Sequence, residues 1–193
     1  MIRQLVLAST SPYRQELLRR LAYPFETASP ETDESALAGE HPFATALRLS
    51  ELKAKAVACR FPDALIIGSD QVAHSGNDIF GKPGNHENAV VQLKQLSGQT
   101  VDFVSGLCVF DSANQRSESR AVTTRVRFRT LSDATIEAYL QKEKPYNCAG
   151  SAKSEGLGIA LIASMECDDP TALVGLPLIA LCDLLQIHGL SLI

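Results

Sequence analysis

One stretch near the start of the chain combines residue types suited to holding phosphate. In Ala8-Ser9-Thr10-Ser11-Pro12-Tyr13-Arg14, three hydroxyls and an arginine follow an apolar run at a helix start. Free backbone N–H groups and the positive end of the helix dipole favour an anion there, and a guanidinium such as that of Arg14 can grip it through two bonds. The same Ser-Thr-Ser-Pro run also serves as an ordinary capped helix start. Two groups of acids suggest a cation. Glu34 follows Asp33 in the polar run Ser29 to Glu34, and Asp70 follows the apolar run Ala64-Leu65-Ile66-Ile67 in Gly68-Ser69-Asp70-Gln71. Mg²⁺ takes one or two carboxylates together with phosphate oxygens and water, so Glu34 and Asp70 could share one ion without any histidine or cysteine. A metal so held neutralises a triphosphate, and a carboxylate within reach of water can act as general base. Asp70 equally suits a turn at the end of a strand.

Two lysines could add positive charge. Lys82 stands between Gly81 and Pro83, where a restrained backbone makes it a placed point charge, and Lys53 lies in Lys53-Ala54-Lys55-Ala56. Of the two, Lys82 is the better candidate, although solvated lysines are the ordinary case. The histidines at 41, 74, 86 and 188 share no ligand spacing. Phosphate-loop, dinucleotide and esterase signatures are absent.

The elements that must position these residues alternate between short buried strands and amphipathic helices. Leu5 to Ala8 reads as a strand and Ser11-Pro12 as the start of a helix carrying Leu17, Leu18 and Leu21. Pro24 to Ala28 suggests a second strand. A helix follows from about Pro42 to Arg60, with Phe43, Leu47, Ala54 and Val57 spaced for burial. Ala64 to Ile67 has the continuous apolar character of a strand covered on both faces, and it is expected to end at Gly68-Ser69-Asp70 beside a cleft. Next come a hairpin turning at Ser75 to Asp78, a helix from His86 to Leu96 stopped by Gly98, and two long strands, Val101 to Phe110 and Val122 to Phe128. Arg125, Arg127 and Arg129 share one face of the second, most simply a solvated one. Ser132 caps a helix to about Glu143, and a last helix begins near Pro170 or Thr171. The pattern implies a mixed sheet flanked by helices.

Bulk properties narrow the function classes. A chain of 193 residues with 45% hydrophobic content is long enough to bury a core. Its formal charge of −4 and lack of a Lys/Arg block argue against a nucleic-acid polymer as partner. The five scattered cysteines read as reduced thiols. The opening run Met1 to Leu7 is too short for a secretory segment, and the apolar stretch Leu178 to Ile187 falls well below the roughly 20 residues of a membrane span. No membrane partner and a cytoplasmic location are expected.

Taken in order, Ala8 to Arg14, Asp33-Glu34, Lys53-Ala54, Gly68-Ser69-Asp70-Gln71, Gly81-Lys82-Pro83 and Ala149 to Gly156 resemble the Maf family, as do Asp169-Pro170 and Val174-Gly175-Leu176-Pro177. The resemblance runs end to end and implies a single Maf domain over residues 1–193. It also implies an ITPase-like (Maf/Ham1) α/β fold, with a mixed sheet flanked by helices and two lobes around a central cleft. The implied activity is metal-dependent hydrolysis of nucleoside triphosphates to monophosphate and pyrophosphate, with Mg²⁺ or Mn²⁺. The segment Gly150-Ser151-Ala152-Lys153-Ser154-Glu155-Gly156 is similar to that of the family branch acting on 7-methyl-GTP. In that branch base choice falls on Tyr13, Gln71 and Glu155, and the proton acceptor on Asp70. Ser9, Arg14, Lys53 and Lys82 are then expected to hold the triphosphate, and Glu34 and Asp70 the metal. The single arginine after Tyr13 departs from members that carry a pair. The implied role is removal of modified nucleotides. A dTTP- or UTP-type pyrophosphatase, a non-catalytic nucleotide-binding regulator of cell division, and a homodimer all stay open.

Overall fold

The computed structural model describes residues 3–193; Met1 and Ile2, which begin the apolar opening run, lie outside the described residues. In chain order the elements are β1 (Gln4–Leu7), α1 (Pro12–Arg19), β2 (Glu26–Thr27), α2 (Pro42–Ala56), β3 (Ala64–Ser75), β4 (Asp78–Phe80), α3 (His86–Leu96), β5 (Thr100–Asp111), β6 (Arg116–Phe128), α4 (Asp133–Glu143), β7 (Ile162–Glu166) and α5 (Leu178–Ile187). The strands form a mixed sheet in the order β2-β1-β3-β5-β6-β7, with β4 paired to β3. Strand β1 is parallel to β2 and β3, with Val6 opposite Ile66 and Leu7 opposite Ile67. The β3–β4 and β6–β7 pairs are antiparallel. None of the described helices is long and apolar enough to cross a membrane.

The chain divides into two compact units. The first comprises the residues up to Gln71 with Ser105–Val122 and Asp169–Ile193; the second comprises Val72–Val104 and Thr123–Asp168. In the first unit, Leu5, Leu7, Leu65, Ile67, Leu107 and Val109 pack against Leu17 and Leu18 of α1 and Leu181, Leu184 and Leu185 of α5. The opposite strand faces, Val6, Ala8, Ile66, Cys108 and Phe110, pack with Ala54 and Val57. Both faces are covered, which explains why Ala64 to Ile67 shows no alternation. In the second unit α3 packs against α4, with Leu93, Leu96, Ile136 and Leu140 buried.

Helix α2 reaches β3 and β5 more closely than large side chains would allow. Its buried stripe is Pro42, Thr45, Ala46, Leu49, Ser50, Lys53 and Ala54, whereas Phe43 is exposed and Leu47 half-buried. The expected apolar face is thus partly misplaced. Small residues turn inward because the strands offer glycines: a Cβ on Gly68 would stand 2.0 Å from the Ser50 carbonyl oxygen, and one on Gly106 would stand 2.1 Å from that of Ala46. Backbone meets backbone there, and only hydrogen fits.

Four further expectations change. Strand β3 does not stop at Gly68 but continues to Ser75, so Asp70 lies within a strand, because the turn comes only at Ser75 to Asp78, where β3 and β4 pair as a hairpin. The strand foreseen over Pro24 to Ala28 shrinks to two residues. The last helix begins at Leu178, after a 3₁₀ turn at Ala172–Val174; Gly175, at φ 109°, ends that turn and Pro177 precedes the helix. Helix α2 itself stops at Ala56, with a 3₁₀ turn at Ala58–Arg60. The caps foreseen at Ser11 and Ser132 are present, accepting from the N–H groups of Arg14 and Thr135.

Candidate active site

Within the first unit, the close approach of α2 to β3 brings Lys53 to Asp70. The ammonium lies 2.6 Å from Oδ1 of Asp70 and 2.8 Å from Oε1 of Glu34. Lys53 is 4% and Asp70 7% exposed, while Glu34 reaches in from the exposed loop before α2. Lys82, the better candidate of the two by sequence, is exposed after β4, whereas Lys53 is buried. Its position three and four residues beyond the buried pair Leu49 and Ser50 is the sequence signal that marks it as inward-facing.

The loop that carries Glu34 is held by a pair that sequence reasoning missed. Arg48 grips both carboxylate oxygens of Glu40 at 2.6 Å, and its Nη2 also donates to the Ser35 carbonyl, 3.1 Å away. Glu40 further accepts from the Leu37 N–H and the Thr45 hydroxyl. The Arg48 guanidinium holds the Glu40 carboxyl down from its ordinary 4.5 to about 2. One residue before Glu34, Asp33 accepts from the Ser35 N–H, so both neighbours of Glu34 are tied.

At the start of α1, Ser9 is buried and its hydroxyl accepts from the Ser11 N–H at 3.1 Å. Arg14, in the first turn, donates from Nε to the Gly175 carbonyl at 2.8 Å. Burial pushes the guanidinium below its ordinary value, and the charges of Asp70 and Glu34 oppose that shift; an arginine keeps its proton throughout. Arg14 therefore shares the electrostatic neighbourhood of the two carboxylates. Tyr13, beside it in α1, is half-buried. Gln71 donates its amide nitrogen to the Ser105 hydroxyl and to the carbonyls of Ala172 and Leu173 at 2.9 to 3.1 Å.

The loop before α5 is organised by Asp169, which is 2% exposed. Its two oxygens accept from the Thr171 N–H and hydroxyl and from the Ile179 N–H. The Thr171 hydroxyl accepts in turn from the Leu178 N–H. An Asp followed by Thr two residues on is a local signal for such a turn, readable in the sequence as Asp169-Pro170-Thr171.

In the second unit, the glycine-rich segment is folded around Glu143. That carboxylate accepts from Lys153 Nζ at 2.8 Å and from the Leu157 N–H at 2.7 Å. A Cβ on Gly156 would lie 2.8 Å from the same carboxylate. Tyr139 accepts from the Lys153 N–H, and burial pushes its phenol well above the ordinary value. Glu155 is exposed, with the Ser154 hydroxyl 3.4 Å from its Oε2. Arg125 and Arg127 do line a solvated face, paired to Asp102 and Ser164, while Arg129 lies just past the end of β6.

The site can do two things chemically. Glu34 and Asp70 both pair with the Lys53 ammonium, and their carboxylates are the donors that a small divalent ion beside it could use, with phosphate oxygens and water completing its shell. Among the described residues no three His, Cys, Asp or Glu side chains cluster as a metal site. Arg14, in the electrostatic neighbourhood of both carboxylates, has the chemistry to grip an anion there.

Residues 4–188 match the family model described as Maf-like protein. The chain is 57% identical over 189 residues to the 7-methyl-GTP pyrophosphatase of Methylobacillus flagellatus, covering 98% of each chain. It is 58% identical over 186 residues to the 7-methyl-GTP pyrophosphatase of Cupriavidus pinatubonensis, covering 96% of this chain and 94% of that one. The solved structure of the Staphylococcus aureus Ham1 protein is similar over 66% of this chain and 73% of its own, with a TM-score of 0.48 and 15% identity.

Proposed function

The chain belongs to the Maf-like protein family, and from that membership we propose that it is a nucleoside triphosphate pyrophosphatase hydrolysing 7-methyl-GTP to 7-methyl-GMP and pyrophosphate. The observation that carries this reading is the Lys53 ammonium between Glu34 and Asp70. The two carboxylates flank that ammonium as anionic donors, and Arg14 shares their electrostatic neighbourhood. Without a further cation these charges cancel, two cationic against two anionic side chains, and a triphosphate is poorly served. The donor set therefore fits Mg²⁺ or Mn²⁺. Glu34 and Asp70 would hold the ion, which when bound neutralises charge on the triphosphate.

The residues divide the remaining work. Arg14 and Ser9 bind phosphate, and Lys53 places its ammonium beside the reacting group. Asp70 accepts the proton of a water whose oxygen attacks the α-phosphorus; the bond to the bridging oxygen breaks and pyrophosphate departs with its electron pair. Positive charge on Arg14, Lys53 and Lys82 offsets the charge developing on that oxygen. Tyr13 presents an aromatic face to the positively charged methylated guanine, Glu155 accepts from its N1–H and 2-amino donors, and Gln71 belongs to the same substrate-handling set. Five free thiols and a nucleotide substrate suit a cytoplasmic enzyme that removes modified nucleotides.

A nucleotide panel assayed for pyrophosphate release tests the proposal. We expect 7-methyl-GTP to lead the ranking, and Asp70→Asn to lower its turnover by about 100-fold or more while the fold is kept. Leading turnover of dTTP or UTP would reassign the base, and stoichiometric binding with no pyrophosphate released would make the chain a regulator.

A further inference from the structure

Four side chains of the first unit converge on the backbone of one short loop, Ala172 to Gly175. Arg14 Nε donates to the Gly175 carbonyl oxygen at 2.8 Å, and the Ser69 hydroxyl lies 2.8 Å from that oxygen and from the Gly106 carbonyl oxygen, sharing its one proton between the two. The Ser105 hydroxyl reaches the Ala172 carbonyl at 2.7 Å, and Gln71 reaches those of Ala172 and Leu173. Ser69 and Gln71 flank Asp70 in β3. Two features favour glycine at 175. Its φ of 109° disfavours any side chain, and a Cβ there would press on Arg14 Nε at 3.3 Å.

We propose that the Gly175 carbonyl is a positioning group for Arg14, fixed by Ser69 directly and by Gln71 through the neighbouring carbonyls, so that the guanidinium presents its two terminal amino groups to a phosphate. This rests on Arg14 being a phosphate-binding residue. A guanidinium has five N–H donors in a rigid fork, and tying down Nε leaves the terminal edge that matches two phosphate oxygens. Ser69 and Gln71 are thus positioning residues that act through Arg14 while their neighbour Asp70 carries the chemistry. The same strand thereby sets both the proton acceptor and the anion grip, although Arg14 lies 56 residues away along the chain.

A double-mutant cycle read by calorimetry tests this, with inorganic tripolyphosphate and Mg²⁺ as the probe. Ser69→Ala is expected to weaken binding about tenfold, as a loosened Arg14 loses its alignment with one phosphate oxygen, and to add nothing in an Arg14→Ala background. Gln71→Ala, at a half-buried position, repeats the cycle should Ser69→Ala fail to fold. Equal losses in both backgrounds, or no loss from either variant, would overturn the proposal. Turnover of 7-methyl-GTP by the unaltered protein is measured alongside. Coupling without turnover leaves the positioning role and removes the pyrophosphatase reading; turnover without coupling does the reverse.

Discussion

The ammonium of Lys53 lies 2.6 Å from Oδ1 of Asp70, and neither side chain is more than a tenth exposed. A pair so enclosed is held chiefly because either charge alone would be costly to bury. Replacing Lys53 by methionine, which keeps the length of the stem, strands the Asp70 carboxylate. Denaturant unfolding should show a loss of about 3 kcal/mol. A variant as stable as the parent would mean that Asp70 is compensated by another partner.

Gly68 makes that pair possible by letting α2 sit directly on β3. For Gly68→Ala the new Cβ meets backbone, 2.0 Å from the Ser50 carbonyl oxygen and 2.7 Å from the Ala54 nitrogen, so no side-chain rotation relieves it. Forced separation of helix and strand should cost about 3 kcal/mol or more. Thermal unfolding would report it, and turnover should fall with it because Lys53 is carried on the displaced turn. Gly81→Ala, where a Cβ meets nothing within 4 Å, is the matched control for loss of a glycine.

Glu40 should leave a signature in acid. Its carboxyl titrates at about 2 in the folded chain against an ordinary 4.5, because Arg48 stabilises the charged form. A lowered value stabilises the fold above the ordinary pKa, and that contribution disappears as pH falls from about 4.5 through about 2. Unfolding midpoints measured across this window should therefore drop less steeply for Glu40→Gln than for the parent. Parallel curves would show that the Arg48 pair adds no net stability.

Glu34 is the most accessible member of the site, with half its side chain exposed, and its replacement should spare the fold. In our reading Glu34→Gln weakens Mg²⁺ binding about tenfold or more, seen as a higher Mg²⁺ concentration for half-maximal pyrophosphate release. Chelation should abolish release in the parent, and added Mg²⁺ should restore it. Unchanged Mg²⁺ dependence in the variant would remove Glu34 from the metal site.

Much of the local structure was legible in the sequence because its causes lie within a few residues. Ser11 and Ser132 cap helices through their own hydroxyls, and Ser75 to Asp78 makes a hairpin through its own turn. The apolar runs of β1 and β3 announce burial on both faces. The order of small motifs likewise marked the family before any contact was known.

What the sequence by itself determined, then, is which elements form and which residue types could hold phosphate and a cation. The tertiary structure alone decided that Lys53 is buried while Phe43 is exposed, since that depends on Gly68 and Gly106 accepting the small face of α2. It also decided that β3 runs through Asp70, and that Arg14, Ser69 and Gln71 meet the carbonyls of a loop 101 or more residues away from Gln71. The physical reason is range. Caps and turns are satisfied by neighbours in sequence, whereas a buried charge or a tied guanidinium depends on which distant backbone groups packing has brought within 3 Å.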